Sequence, residues 1–194
     1  MKSKRLPLPI AIRKMIPGNP EYLAALINAS ELSAVLFPEP ITFEEIAKTI
    51  LSHEDSGVYV ARDRKNSQFA GFNIWYENLK DNQPWFWIQG VSPQYQRMGI
   101  GEKLMRYCLT DLERLGYTHV NLKTYNGFPS MIRLCRRLGF ARTKKDPLAR
   151  WGPKNTVAYY YTKKLVPSSA ETRLITDTRD TNISDANLEM RSNI

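Results

Sequence analysis

Gln89-Gly90-Val91-Ser92-Pro93-Gln94-Tyr95-Gln96-Arg97-Met98-Gly99-Ile100-Gly101 is the stretch from which the rest of the chain can be read. It joins a strand-like run at 85–91 to a helical one. In the latter, Ile100, Leu104, Met105, Cys108, Leu109, Leu112 and Leu115 recur at helical spacing until Gly116 stops the pattern. Two glycines two residues apart open that helix. Glycine lets a backbone come close to a ligand, and the first N–H groups of a helix have no partner within it. The positive end of the helix dipole adds to them, so the turn suits phosphate oxygens. Such a turn holds a pyrophosphate through backbone amides and leaves Arg97 to pair with a further phosphate.

Two other phosphate loops fit less well. A Walker loop needs Lys followed by Ser or Thr after its last glycine, and here Gly101 is followed by Glu102 and Lys103. A dinucleotide fingerprint needs a third glycine at position 104, which is Leu104.

Upstream, a strand is expected at 10–16 and a helix at 21–30. Pro20 starts that helix, with Leu23, Leu26 and Ile27 on one face. Thr42 with Glu45 three residues on reads as a capping box opening a helix to about residue 52. Three strand-like runs follow at 58–63, 69–76 and 85–91, an antiparallel meander. After the long helix come a strand at 118–123, a helix at 130–138 ended by Gly139, and strands at 140–143 and 156–165. The order βααβββαβαββ predicts a mixed α/β sheet.

The chain has 194 residues, 42% hydrophobic and 24% charged, enough for one core of ordinary size. No run approaches the roughly 18 apolar residues of a membrane span. The N-terminal apolar run is broken by Pro7 and Pro9 and closed by Arg13 and Lys14, so it does not read as a signal peptide. Cys108 and Cys135, with only His53 and His119 beside them, cannot form a disulfide framework or a structural zinc site. No metal is expected, and the cytoplasm is the default compartment. Residues 167–194 are polar, lack aromatic side chains and read as a disordered or loosely attached tail, leaving 1–166 as one domain. The tail carries a net charge of −2 and residues 1–166 carry +11, which suits a polyphosphate, RNA or an acidic surface.

Gln96-Arg97-Met98-Gly99-Ile100-Gly101 resembles, at every defined position, the Gln/Arg-x-x-Gly-x-Gly/Ala motif of the GNAT superfamily of acyl-CoA N-acyltransferases. Leu138-Gly139-Phe140, 37 residues after Gly101, is similar to that family's Leu-Gly-Phe signature, and the likeness spans about residues 9–165. It implies a mainly antiparallel seven-stranded sheet flanked by helices. It also implies transfer of an acetyl group from acetyl-CoA, as co-substrate, to a primary amine with no covalent enzyme intermediate. By the same likeness the coenzyme contacts Val91, Ser92, Gln96, Arg97, Met98, Gly99, Ile100 and Gly101, with Asn126 beside its arm. The family's slot for the pantetheine arm opens where the preceding strand splays at a bulge, and Gly90 and Pro93 are expected to mark that disruption. The N–H of Val91 would face the oxyanion.

The catalytic acid and base depart from the family pattern. Many members carry a Glu on the strand before the loop, but Trp85-Phe86-Trp87-Ile88-Gln89 has no carboxylate. Where many members place a Tyr, four residues before the Gly-Phe pair, this chain has Cys135. That thiol reads either as the acid for the leaving thiolate or as a small core residue. Gln89 either positions a water or bonds a neighbouring strand. Tyr125 and residues 159–161 are alternative phenols, while Glu77 and His119 read as structural. Trp75, Tyr76, Trp85, Phe86 and Trp87 divide between core and acceptor channel. By the resemblance this region shapes the acceptor site, and Leu36-Phe37-Pro38-Glu39-Pro40 would give it an apolar rim with one acid. Arg133, Arg136, Arg137, Arg142, Lys144 and Lys145 form a basic patch, either a solvated face or a contact for the adenosine 3′-phosphate or an anionic acceptor.

The acceptor classes left open are a small molecule, a protein amine and an aminoacyl-tRNA, on a monomer or homodimer away from membranes. A CoA-binding sensor or interaction module without catalysis is the rival reading. An RNA-binding protein is a weaker third, since no RNA-binding signature accompanies the charge.

Overall fold

The computed structural model describes residues 9–36, 39–53, 55–147 and 156–168. The elements in chain order are β1 (Ile10–Met15), α1 (Pro20–Leu36), α2 (Phe43–Leu51), β2 (Ser56–Asp63), β3 (Phe69–Asn78) and β4 (Gln83–Val91). After a 3₁₀ turn at Pro93–Tyr95 come α3 (Ile100–Arg114), β5 (His119–Tyr125), α4 (Pro129–Arg137), β6 (Ala141–Asp146) and β7 (Ala158–Lys164). They make one seven-stranded sheet of order β1-β2-β3-β4-β5-β7-β6, antiparallel except between β4 and β5. This is the mixed α/β sheet that the element order predicts, in the mainly antiparallel seven-stranded form that the resemblance implies. Of the tail, only Pro167 and Ser168 are described, and the Ser168 N–H donates to the Glu113 carbonyl; the disorder expected for the remainder lies outside the described residues.

Two cores sandwich the sheet. On one face Leu104, Met105, Cys108 and Leu112 of α3 and Leu134 and Cys135 of α4 pack on Trp75, Phe86, Leu122 and Tyr161. On the other, Tyr22, Ala25, Leu26 and Ala29 of α1 and Ile46 and Ile50 of α2 pack on Val58, Phe72, Ile74 and Ile88. The α2 capping box forms as read: the Glu45 N–H donates to Thr42 Oγ1 (3.2 Å) and the Thr42 N–H to Glu45 Oε2 (2.8 Å).

The first helix is corrected. It runs on to Leu36, and its buried stripe is Tyr22, Ala25, Leu26, Ala29 and Ser33. Leu23 and Ile27 stay exposed, because small residues bring the helix close to α2 and the sheet. Ser30 and Ser33 hydroxyls both donate to the Ile41 carbonyl (3.0 and 3.1 Å), fixing the approach to α2.

The bulge is also corrected. Gly90 stays in register opposite Phe72, and Pro93 begins the 3₁₀ turn. The irregularity lies at Trp87: Ile74 faces Ile88 whereas Trp75 faces Phe86. Side-chain alternation has period two, so one extra residue exchanges the faces. Phe86 accordingly joins the α3–α4 core and Ile88, two residues on, the α1–α2 core. Along its other edge β4 pairs with β5 only at Trp85–Asn121 and Phe86–Leu122. From the bulge onward the two strands part. Among the described residues no helix is long and apolar enough to cross a membrane, and no three His, Cys, Asp or Glu side chains converge as a metal group.

Candidate active site

The parting of β4 and β5 opens a cleft of about 810 Å³ through the sheet. Past Phe86 the edge of β4 that faces β5 has no strand partner, so its backbone groups border this cleft. One end is closed by the turn into α3. Arg97 and Gly99 both lie in the left-handed region (φ 60° and 81°), and α3 starts at Gly99 with no side-chain cap. Its first N–H groups are therefore free for an anion. A Cβ on Gly99 would meet nothing within 4 Å, so backbone conformation alone demands glycine there.

Gly101 is demanded by contact. A Cβ there would stand 2.8 Å from Gln89 Nε2. The Gln89 amide N–H donates to the Gly101 carbonyl (3.2 Å), and its Oε1 accepts from Asn73 Nδ2 (2.9 Å). Gln89 thus straps β4 and β3 to the first turn of α3. Asn73 is fully buried, and its Oδ1 has no partner among the described residues.

The loop has its own anchors. Tyr95, buried, donates its hydroxyl toward Asp63 Oδ2 and Gln68 Oε1 (both 3.2 Å) at the β2–β3 turn. Ser92 holds Ala70 and Phe69 carbonyls through its N–H (3.0 Å) and hydroxyl (3.1 Å), and Gln96 Nε2 donates to the Val91 carbonyl (3.2 Å). Glu102 bridges Arg106 (2.8 Å) and Arg137 (2.6 Å), tying α3 to α4. That leaves Arg97 and Arg133 as the cleft-lining cations on this side with no carboxylate partner among the described residues.

Of the residues expected to hold the coenzyme, Val91, Gln96, Arg97, Gly99, Ile100 and Gly101 line the cleft. Ser92 and Met98 do not; the first is part of the loop's scaffold and the second is exposed. Asn126 is also outside the lining. It closes the β5–β7 ladder, its N–H donating to the Val157 carbonyl and its Oδ1 accepting from the Val157 N–H (3.1 Å).

The candidate catalytic groups separate as well. Cys135 is fully buried in the α3–α4 core, away from the lining, and burial pushes its thiol up to about 12. Gln89 and Tyr125 both line the cleft, and Gln89 takes the structural alternative by bonding the neighbouring strand. Glu77 accepts a hydrogen bond from the Tyr117 hydroxyl, and His119 Nδ1 lies 3.0 Å from Thr118 Oγ1; neither lines the cleft. The aromatic cluster divides: Trp75 is core, while Tyr76, Trp85 and Trp87 line the cleft on the α1 side beside Leu32 and Leu36. Phe37 and Pro38 of the expected rim lie outside the described residues, and Glu39 is exposed and off the lining. Lys123, Asn73 and Tyr95 were not singled out from the sequence. Nothing short of the β5 register marks Lys123 as a cleft residue.

Comparison with known proteins agrees with this geometry. Residues 23–140 match the model of the Acetyltransferase (GNAT) family. A mycothiol acetyltransferase of Actinosynnema mirum is 27% identical over 145 residues, 73% of this chain and 48% of that protein, so the chain spans under half of that relative's length. Among solved structures, the ribosomal-protein-S18-alanine N-acetyltransferase of Escherichia coli superposes with TM-score 0.63 at 18% identity, covering 83% of this chain and 97% of the other. A GNAT acetyltransferase of Elizabethkingia anophelis with acetyl-CoA bound gives 0.60 at 19%, covering 81% and 99%. At these identities the likeness is one of fold.

Proposed function

The chain belongs to the GNAT acetyltransferase family, and from that premise we propose that it moves an acetyl group from acetyl-CoA directly to a primary amine. The observation that carries the proposal is the uncapped start of α3 at Gly99, opening onto the unpaired edge of β4. A pyrophosphate would accept hydrogen bonds from the N–H groups of that first turn, with Arg97 as counter-charge. The amides of the pantetheine arm would pair with the free edge of β4 as a short strand does. Asn126 keeps its Nδ2 hydrogens for the outer part of the arm.

In the reaction a neutral amine nitrogen attacks the thioester carbonyl, the C–N bond forms and the C–S bond breaks. One proton passes from nitrogen to the departing sulfur. The Val91 N–H is the donor we assign to the oxyanion. Among the acids read from the sequence, the geometry favours Tyr125, a phenol on the cleft wall, over Cys135, a thiol sealed in the core, and over Tyr159, Tyr160 and Tyr161, which are not among the cleft-lining residues. Gln89 is a positioning residue, holding the α3 turn through the Gly101 carbonyl. Among the described residues no carboxylate lines the α1 side of the cleft, and on this reading solvent or the free amine population supplies the deprotonated nucleophile. Two free, buried cysteines are in keeping with a reducing compartment such as the cytoplasm.

Thermal unfolding with acetyl-CoA, CoA and ATP, repeated for Gly99→Asp, tests this. A ligand at a hundredfold excess over Kd stabilises by about 2.7 kcal/mol. Acetyl-CoA should raise Tm, ATP should do little, and Gly99→Asp should abolish the rise by placing a carboxylate over the turn. Thiol release on adding amines then separates a transferase from a CoA-binding module. Stabilisation by acetyl-CoA without thiol release from any amine favours the module.

A further inference from the structure

The cleft has a second wall that the coenzyme turn does not use. On β5, Leu122 packs into the α3–α4 core, so Lys123 faces the opposite side of the sheet, the side of α1. It is the first β5 residue past the last β4–β5 pair, at the throat of the cleft. Its register partner on β7 is Tyr160, whose partner on β6 is Lys144. The Lys123 ammonium lies 5.2 Å from the Tyr125 ring centroid and 5.6 Å from that of Tyr160, and Lys144 lies 5.4 Å from Tyr160. Trp85 meets Tyr160 edge-on at 6.4 Å and continues the wall to Tyr76 and Trp87.

The wall thus carries the Lys123 ammonium and a set of aromatic rings, with Lys144 exposed and off the cleft lining, and neither ammonium has a carboxylate partner among the described residues. Of these rings, Tyr125 and Tyr160 already have the protein's own lysines over them. The indole N–H of Trp85 also has no acceptor among the described residues. Asp146, on the edge strand β6 two residues past Lys144, has a partner of its own. A polycationic amine would meet repulsion here. An anion would meet an unpaired, half-buried charge.

We propose that the acceptor amine carries an anionic group of its own, a carboxylate or a phosphate, beside an apolar or aromatic arm, and that Lys123 holds that group at the throat of the cleft. The proposal rests on the acyl-transfer reading and narrows its substrate. Lys123 lies across the sheet from the α3 turn, so its charge serves the acceptor and leaves the coenzyme phosphates to the turn and Arg97.

The test uses the full chain with acetyl-CoA and matched amines: phenylalanine against phenethylamine, and O-phosphoethanolamine against ethanolamine. Values of kcat/KM are corrected for the neutral fraction of each amine. In the wild type, at least one anionic member should exceed its uncharged partner tenfold or more, and added salt should narrow the gap. Lys123→Gln should bring the ratio close to one, and Lys123→Arg should restore most of it. Acetyl-CoA stabilisation of each variant reports that it folds and keeps the coenzyme site. A wild-type preference for the uncharged members of both pairs overturns the proposal and leaves acyl transfer standing, as does an unchanged ratio in Lys123→Gln. A Lys123→Gln variant that loses both members equally also overturns it, since that pattern belongs to a proton-transfer role. Should the variant not fold, the wild-type ratios and their salt dependence still decide. Acetyl-CoA stabilisation with no transfer to any of the four amines counts against acyl transfer and takes this proposal down with it.

Discussion

The strap made by Gln89 predicts that Gly101→Ala changes sign with its background. Alone, alanine at the second position of α3 gains up to about 1 kcal/mol of helix propensity over glycine. Its methyl, however, would sit 2.8 Å from Gln89 Nε2, closer than non-bonded carbon and nitrogen allow. Gln89 cannot swing aside freely because both ends are tied, to Asn73 at 2.9 Å and to the Gly101 carbonyl at 3.2 Å. Displacing it breaks two hydrogen bonds worth about 1 kcal/mol each and leaves the Asn73 side chain, fully buried, with no partner at all. The net effect should be a loss of about 1–2 kcal/mol. In Gln89→Ala the methyl meets open space, so adding Gly101→Ala should stabilise by about 0.5–1 kcal/mol. The coupling energy is then about 1.5–3 kcal/mol, well above the roughly 0.5 kcal/mol of independent sites. Urea unfolding of the four proteins measures it, provided that the slope with denaturant is constant. Additivity within about 0.5 kcal/mol would refute the strap.

Four further outcomes follow from other parts of the molecule. Gly99→Ala meets no steric obstacle but must adopt φ 81°, and it should cost about 1–2 kcal/mol in unfolding free energy, read from the same denaturation curves. Cys135→Ala should leave kcat within about threefold, whereas Tyr125→Phe should lower it tenfold or more, as followed by thiol release; the reverse order would restore the thiol as acid. Thr42→Ala removes one half of the α2 capping box and should lower stability by about 1 kcal/mol, visible as a Tm drop of about 2–4 °C for a chain of this size. Alkaline pH should destabilise the fold. Burial raises Cys135 to about 12 and also raises Cys108, Tyr59 and Tyr117, so the native state keeps protons that the unfolded chain releases. Stability should therefore be level below about pH 9 and fall above it, and denaturation midpoints that rise with pH there would contradict this assignment.

Much of this architecture was legible because it rests on local signals. The strand-like run at 85–91, the helical spacing from Ile100 to Leu112 and the Thr42–Glu45 box each depend on residues a few positions apart, and each forms where read. The face of α1 was misread because Leu23 and Ile27 outweigh Ala25, Ala29 and Ser33 in hydrophobicity, while close packing against α2 favours the small residues. The bulge was displaced from Trp87 to Gly90 because glycine is a common local marker of such a site. What sets it here is the register of β4 against β3, a property of two strands. Cys135 is placed by the α4 stripe, which decides burial, and family spacing says nothing about how deep the thiol lies. Lys123 was invisible for the same kind of reason, since its place at the throat follows from where β4–β5 pairing stops.

One inserted residue accounts for most of the site. Without the bulge, with Trp87 paired in register like its neighbours, β4 would keep one alternation from Gln83 to Val91, and Trp85 and Gln89 would share a face. With it, Trp85 points to the α1 side, where Tyr76, Trp87 and Tyr160 form the acceptor wall. Gln89 then points to the α3 side, where it reaches Gly101. The same kink carries β4 away from β5 after Phe86 and frees the backbone edge proposed for the coenzyme arm. Acceptor wall, coenzyme turn and the opening between them are thus three consequences of one register shift. A variant that deletes Trp87 leaves Trp85 and Gln89 on their present faces but removes the kink, so it should lose acetyl-CoA stabilisation even where circular dichroism shows the sheet retained. Replacing Trp87 by Phe keeps the residue count and should keep acetyl-CoA stabilisation, altering only the contacts of the acceptor wall. If both variants bind acetyl-CoA equally well, the insertion is not what opens the cleft.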